Sequence, residues 1–168
     1  MHELTKLVDD IGPEMVNYLY DPLTRLKAVL VMDTTAFGPT IGGVRMRQDI
    51  TTEEIVSLAR AMTYKMSIFN FPMGGAKAGI WANPTLRGPR RKAMLRAFGK
   101  ALKPFLAQDT YISGPDMGTY AEDFPIIYEA AGLQYVAGGI LQKEKDQEPL
   151  ENHLTGYGVV ASAEIACK

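Results

Sequence analysis

The sequence predicts an α/β domain with a largely buried central sheet. Two features carry that expectation: short apolar runs closed by turn residues, and longer stretches whose apolar residues recur at helical spacing. Their alternation along the chain is the pattern of strands interleaved with helices around one sheet.

The elements follow in chain order. Residues 4–20 set Leu7, Val8, Ile11, Met15 and Leu19 among acids at near-helical spacing, broken by Gly12-Pro13, which predicts two short helices or one interrupted helix. The run from Ala28 to Met32 stops at Asp33 and predicts a buried strand, after which Gly38-Pro39 and Gly42-Gly43 read as turn residues. Thr51-Thr52 offers a capping hydroxyl and Glu53-Glu54 places acids where the helix dipole favours them, so a helix starts here and runs to about Ser67. A Gly-rich turn and a strand over 78–82 come next, closed by Asn83-Pro84. From Arg90 to about Phe105, Met94, Phe98, Ala101, Leu102 and Phe105 mark a helix with one buried face, which Pro104 should end or bend. Tyr111-Ile112-Ser113 is a further strand, and 121–131 a helix with Pro125 near its start and Gly132 past its end. Residues 138–155, charged from Lys143 to Glu148, read as a solvated linker, and 156–168 as a last helix.

The 168 residues, 46% of them hydrophobic, suffice for one globular domain without a disulfide or metal staple, and a second large domain does not fit. Eighteen Lys+Arg against 19 Asp+Glu give a net charge of −1, which removes the electrostatic case for nucleic acid. The basic run Arg90-Arg91-Lys92 reads as a solvated helix start. The longest uninterrupted apolar run, Ala28 to Met32, falls far short of the roughly 20 residues a membrane span requires, and the N-terminus has no apolar signal core. A single cysteine, Cys167, fits a reducing compartment, so the expected location is cytoplasmic. With His2 and His153 isolated, no metal constellation exists.

Three positions carry chemistry. Lys65 falls three residues after Met62 and seven after Leu58, on the apolar stripe of its helix; there it either snorkels to water or serves an anion. Lys77 stands in Gly74-Gly75-Ala76-Lys77-Ala78-Gly79, where glycines permit close backbone approach; a phosphate loop would need a Ser or Thr in place of Ala78. Asp116 follows a predicted strand in Gly114-Pro115-Asp116-Met117-Gly118-Thr119, where α/β sheets open their ligand crevice. Gly156-Tyr157-Gly158-Val159-Val160-Ala161 matches the letters of a dinucleotide fingerprint but follows a charged stretch rather than a strand. No cofactor fold is legible in this chain.

Together, Met62-Thr63-Tyr64-Lys65, Gly74-Gly75-Ala76-Lys77, Asp116-Met117-Gly118-Thr119 and Thr155-Gly156-Tyr157-Gly158-Val159, with Gly38-Pro39-Thr40-Ile41-Gly42-Gly43-Val44-Arg45 upstream, resemble the glutamate/leucine/phenylalanine/valine dehydrogenase family over residues 25–168. The resemblance implies a three-layer domain with a mixed sheet flanked by helices, the substrate-binding and oligomerising N-terminal part of an amino-acid dehydrogenase. Residues 1–155 would form that domain and 156–168 would start a helix toward a Rossmann domain supplied in cis or in trans. The implied activity is NAD- or NADP-dependent oxidation of an L-amino acid to a 2-oxo acid and ammonia, in a homo-oligomer. By the same resemblance Lys65 would hold the substrate carboxylate, Lys77 would act on the water that attacks the imine, and Asp116 would shuttle the amine proton. Gly42, Gly43 and Met62 would lie beside the substrate and Thr155 would face the nicotinamide ring. Glutamate-specific members carry a lysine where this chain has Ile41, so an apolar substrate is favoured, with glutamate as the alternative. The competing class is a non-catalytic oligomerisation or amino-acid-binding module.

Overall fold

The segment Leu26–Met32, which contains the apolar run from Ala28, is a strand lying second from the edge of a five-stranded sheet. The computed structural model describes residues 7–135 and 150–167, the second span with side chains from 157 onward. They fall into two compact units, Met1–Tyr135 and Val136–Lys168. The first holds strands β1 (Met15–Asp21), β2 (Leu26–Met32), β3 (Thr40–Arg47), β4 (Gly74–Trp81) and β5 (Tyr111–Pro115), with helices α1 (Thr52–Ile68), α2 (Gly88–Leu106) and α3 (Asp123–Ala131). The order across the sheet is β1-β2-β4-β3-β5; the pairs β1–β2 and β2–β4 are antiparallel, whereas β4–β3 and β3–β5 are parallel.

Side chains on a strand alternate between faces, and here both faces are apolar. Leu30, Val44, Met46, Ala78 and Ile80 join Phe98, Leu102, Phe124 and Ile127 in a core beneath α2 and α3. On the opposite face, Val29 and Val31 meet Ile50, Ile55 and Ala59 beneath α1. Each such buried aliphatic or aromatic side chain contributes about 1.5–3 kcal/mol over leaving it exposed. The result is the expected mixed sheet flanked by helices.

The expected cap of α1 is present: Thr51 Oγ1 accepts the Glu54 N–H at 3.1 Å. Ile55, Ala59, Thr63 and Met66 form its buried face. The helix sits directly on β4, because a Cβ at Gly75 would lie 2.2 Å from the Ala59 carbonyl oxygen. A polar joint fixes that seat. The Thr63 hydroxyl donates to Asp33 Oδ2 at 2.6 Å and accepts the Gly75 N–H at 3.1 Å. Asp33, fully buried, also accepts from Arg60 Nε at 2.8 Å, and the Arg60 fork continues to Asp9 at 2.7 and 2.8 Å.

Several expectations are corrected. The segment expected as helices at 4–20 contains β1 instead; Ile11, Met15 and Leu19 are four apart, a spacing that suits period 2 as well as 3.6, and pairing with β2 decides it. Gly42-Gly43 and Gly74-Gly75 were expected in turns but lie inside β3 and β4, where they let strand and helix backbones close up. Pro104 does not end α2, which continues to Leu106. Arg91 is not solvated but 5% exposed, with a bidentate Asp123 at 2.9 and 2.5 Å. Of the expected linker, 138–149 lies outside the described residues and 150–155 is helical, since α4 spans Leu150–Ala166. The strands at 28–32, 78–82 and 111–113 and the helices at 52–67, 90–105 and 121–131 appear within a few residues of their expected bounds.

Candidate functional site

Strand alternation brings a distinct set of residues to the face that carries α1. From β3 come Ile41, Gly43 and Arg45, from β4 Gly75, Lys77 and Gly79, and from β5 Ile112 and Gly114, with Asp116 just past its end. Register aligns them: Ile41 pairs with Gly75 on one side and Ile112 on the other, and Gly43 pairs with Gly114. Helix α1 packs chiefly on β4 and β2, so among the described residues the β3–β5 part of this face carries no helix of its own.

Lys77 and Asp116 meet there. Lys77 is 7% exposed and its Nζ lies 3.0 Å from Asp116 Oδ2. An ammonium held in a strand interior needs such a partner. Gly43 makes the meeting possible, because a Cβ at that position would stand 2.8 Å from Asp116 Cβ and 3.4 Å from Lys77 Nζ.

A second cation shares the carboxylate. Arg45 Nε donates to Asp116 Oδ2 at 2.9 Å, while its Nη1 donates to Glu54 Oε1 at 2.6 Å. Glu54 in turn takes Arg47 Nη2 at 2.8 Å. Burial pushes the Asp116 carboxyl up, but the Arg45 guanidinium and the Lys77 charge outweigh it and hold the group below its ordinary value. For Arg45, burial opposes the charge, and Asp116 and Glu54 more than restore it. Behind the site the Tyr111 hydroxyl, fully enclosed, donates to the Gly42 carbonyl at 2.9 Å, and burial raises its pKa well above that of a free phenol. The loop that carries Asp116 is tied down by Thr119, whose hydroxyl donates to Val44 O at 2.7 Å and accepts the Asp116 N–H at 3.0 Å.

Of the residues singled out from sequence, the structure unites Lys77, Asp116 and Gly43, with Ile41 and Gly42 on the same strand. Met62 is half-buried on α1. Lys65, in the last turn of α1, is exposed rather than aimed at the core, and it makes no ion pair with a described residue. Thr155 belongs to α4 in the second unit, and its side chain lies outside the described residues. Among the described residues no group of His, Cys, Asp and Glu is arranged to hold a metal, and no helix is long and apolar enough to cross a membrane. Arg45 and Glu54 were not singled out by sequence reasoning. Their signal was the alternation Arg45, Arg47 in a strand not recognised as one.

The domain is a mixed α/β sheet with a lysine and an aspartate paired beside a glycine on one face, and the solved structures it resembles are amino-acid dehydrogenases. The chain belongs to the Glu/Leu/Phe/Val dehydrogenase family, whose dimerisation-domain model matches residues 20–132. Leucine dehydrogenase of Geobacillus stearothermophilus is 32% identical over 170 residues, covering 99% of this chain and 44% of the relative. L-tryptophan dehydrogenase from Nostoc punctiforme superposes with a TM-score of 0.67 at 29% identity, over 77% of this chain and 38% of that one. The leucine-bound form of the hetero-hexameric glutamate dehydrogenase from Thermus thermophilus gives 0.67 at 26%, over 71% and 31%. The chain thus spans less than half the length of the relatives it matches.

Proposed function

We propose that this chain is the substrate-binding and oligomerising part of an NAD(P)-dependent amino-acid dehydrogenase that converts an apolar L-amino acid to its 2-oxo acid and ammonia. The observation that carries the reading is the Lys77–Asp116 pair at 3.0 Å on the face lined by Ile41 and Gly43. No described loop joins a strand to a helix through the Gly-rich turn that holds a pyrophosphate, so the described residues do not fit the dinucleotide. In this reading a Rossmann domain, in cis or in trans, would hold the nicotinamide cofactor, which would supply the hydride acceptor.

The chain's own residues bind the substrate and move its protons. Lys65, exposed at the end of α1 and in no ion pair with a described residue, holds the α-carboxylate. Asp116, ionised, takes a proton from the substrate ammonium as it binds and returns it to the departing amine, while Lys77, in its neutral form, takes a proton from the water that adds to the imine carbon. A lysine and a carboxylate in hydrogen-bond contact suit that exchange, since general acid–base catalysis requires the two groups within such reach. Ile41, between Gly75 and Ile112, offers no cation to a side-chain carboxylate, so leucine, valine and phenylalanine are preferred over glutamate.

The test joins the chain to the cofactor domain of a leucine dehydrogenase and measures turnover of leucine, valine, phenylalanine and glutamate with NAD and NADP. Oxidation of the apolar amino acids with glutamate weakest supports the reading, and Ile41→Lys should then move preference toward glutamate. Absence of turnover and of amino-acid binding supports the non-catalytic module instead.

A further inference from the structure

We infer that Arg45 is a positioning residue for this reaction: its guanidinium, anchored at its other end by Glu54, fixes the Asp116 carboxylate against Lys77. The inference rests on the functional reading above for its consequence and on geometry for its substance. Arg45 and Lys77 make their closest contacts with the same oxygen, Oδ2, at 2.9 and 3.0 Å. The loop itself is pinned through its backbone, by Met46 N–H on Met117 O at 2.9 Å and by Thr119. Those bonds locate the Asp116 main chain; the carboxylate itself is held by the adjacent Met117 N–H and by the two cations.

The two cations are not equivalent holders. In the proposed cycle Lys77 gains and loses a proton, and its hold on the carboxylate changes with each transfer. A guanidinium remains charged at every accessible pH and offers a planar fork, so it keeps one carboxylate in place while spanning to a second. Arg45 is built in this way: its side chain is 14% exposed, Nε serves Asp116 and Nη1 serves Glu54. Glu54 is braced in turn by Arg47 Nη2. The charged and titratable groups that face Asp116 are therefore Arg45 from β3, Lys77 from β4 and the enclosed Tyr111 of β5, with Glu54 of α1 and Arg47 one step behind. A lysine at position 45 has no fork with which to serve both carboxylates.

Two measurements test this separately. In the 168-residue chain labelled with ¹³C at aspartate carboxyls, the Asp116 titration is followed by NMR for the parent, Arg45→Ala, Arg45→Lys and Glu54→Gln. The expected midpoint moves upward in Arg45→Ala and, by a smaller step, in Arg45→Lys. Glu54→Gln keeps the side-chain shape but removes a neighbouring anion, which by itself moves the midpoint down, so an upward movement in this variant reads a loosened Arg45 guanidinium, and it stands in if the Arg45 variants do not fold. In the chain joined to a cofactor domain, Arg45→Ala is expected to lower kcat by roughly 100-fold, the scale of a misplaced catalytic group, with a smaller change in KM. Added guanidinium ion should restore part of the loss, which it would not do for general loss of structure. An unmoved Asp116 titration in the folded variants, or unchanged kcat in Arg45→Ala, overturns the positioning role. A parent without dehydrogenase activity refutes the functional reading, and a titration that still moves then leaves Arg45 as the residue that sets Asp116.

Discussion

Two enclosed ion pairs in this domain look alike in composition and differ in what they leave over. Arg91 and Asp123 join α2 to α3 with side chains only 6% and 4% exposed. Every arm of that guanidinium is used: it donates twice to Asp123, and to the carbonyls of Pro84, Leu86 and Gly118. Lys77 and Asp116 are 8% and 22% exposed, and Asp116 is the only ion-pair partner of Lys77 among the described residues. An ammonium has three donors. The first pair is closed and structural, whereas the ammonium of the second has, among the described residues, one ion-pair partner for its three donors. Burial alone does not distinguish them; the count of satisfied donors does.

The sharpest way to break the comparison is to remove each pair and ask what fails. In the chain joined to a cofactor domain, Lys77→Ala should lower turnover by about two to four orders of magnitude, the range for a general acid or base. Turnover near that of the parent would put Lys77 outside the mechanism. Asp123→Ala should instead act on folding, leaving a buried guanidinium without its counter-charge at a cost of about 3–5 kcal/mol. Urea unfolding of the 168-residue chain reads this as a midpoint displaced much further than for Lys77→Ala. Equal displacement by the two variants would erase the distinction.

Gly43→Ala is a finer probe, because it touches the open pair without altering any charge. Its Cβ would press on Asp116 Cβ at 2.8 Å and on the Pro115 carbonyl at 2.9 Å, so either the loop or the strand must shift. The expected cost is about 1–3 kcal/mol of stability, with a larger relative loss of kcat than of KM. Wild-type kinetics in this variant would mean that the carboxylate needs no close fit.

The smallest effect is in acid. Asp116 titrates below its ordinary value of 3.8 in the folded chain, so the unfolded chain takes up its proton first as pH falls. Its contribution to stability is complete above that ordinary value and is lost as pH falls through the folded one. Circular dichroism across an acid series should therefore show a shallower loss for Asp116→Asn than for the parent. An identical slope would show that the cations do not favour the charged form.

Much of the frame was legible in the sequence because it is local. The apolar run of β2, the Thr51 cap and the Gly132 stop are decided within a few residues. What escaped was decided at a distance. Strand β3 carries two glycines that by propensity signal a turn, yet pairing with β4 and β5 on both sides holds them extended. Strand β1 shows a spacing shared by two periods, and only its partner β2 chooses between them. The site divides in the same way. Lys77 and Asp116 announced themselves by glycine-rich or strand-end settings, but Arg45 reaches Asp116 across 71 positions, and its alternation with Arg47 says nothing of that partner. The solvated reading of Arg91 failed for the same reason, since Asp123 is 32 positions away.

The joint at Thr63 has a consequence for how the two lysines are spaced. Its hydroxyl bridges Asp33 and the Gly75 N–H, so helix and strand are stitched at one point. Lys65 follows the stitch by two residues along α1, and Lys77 follows it by two along β4. For α1 to slide along the sheet it would have to break a buried bond to Asp33 and strip Gly75 of its acceptor, each a costly loss in a dry interior. The span between the two backbones thus behaves as a ruler of set length. On the proposed function, a molecule held between Lys65 and Lys77 would be selected by the side chains along that span, and a change of length would have to come from substitution rather than from movement of α1.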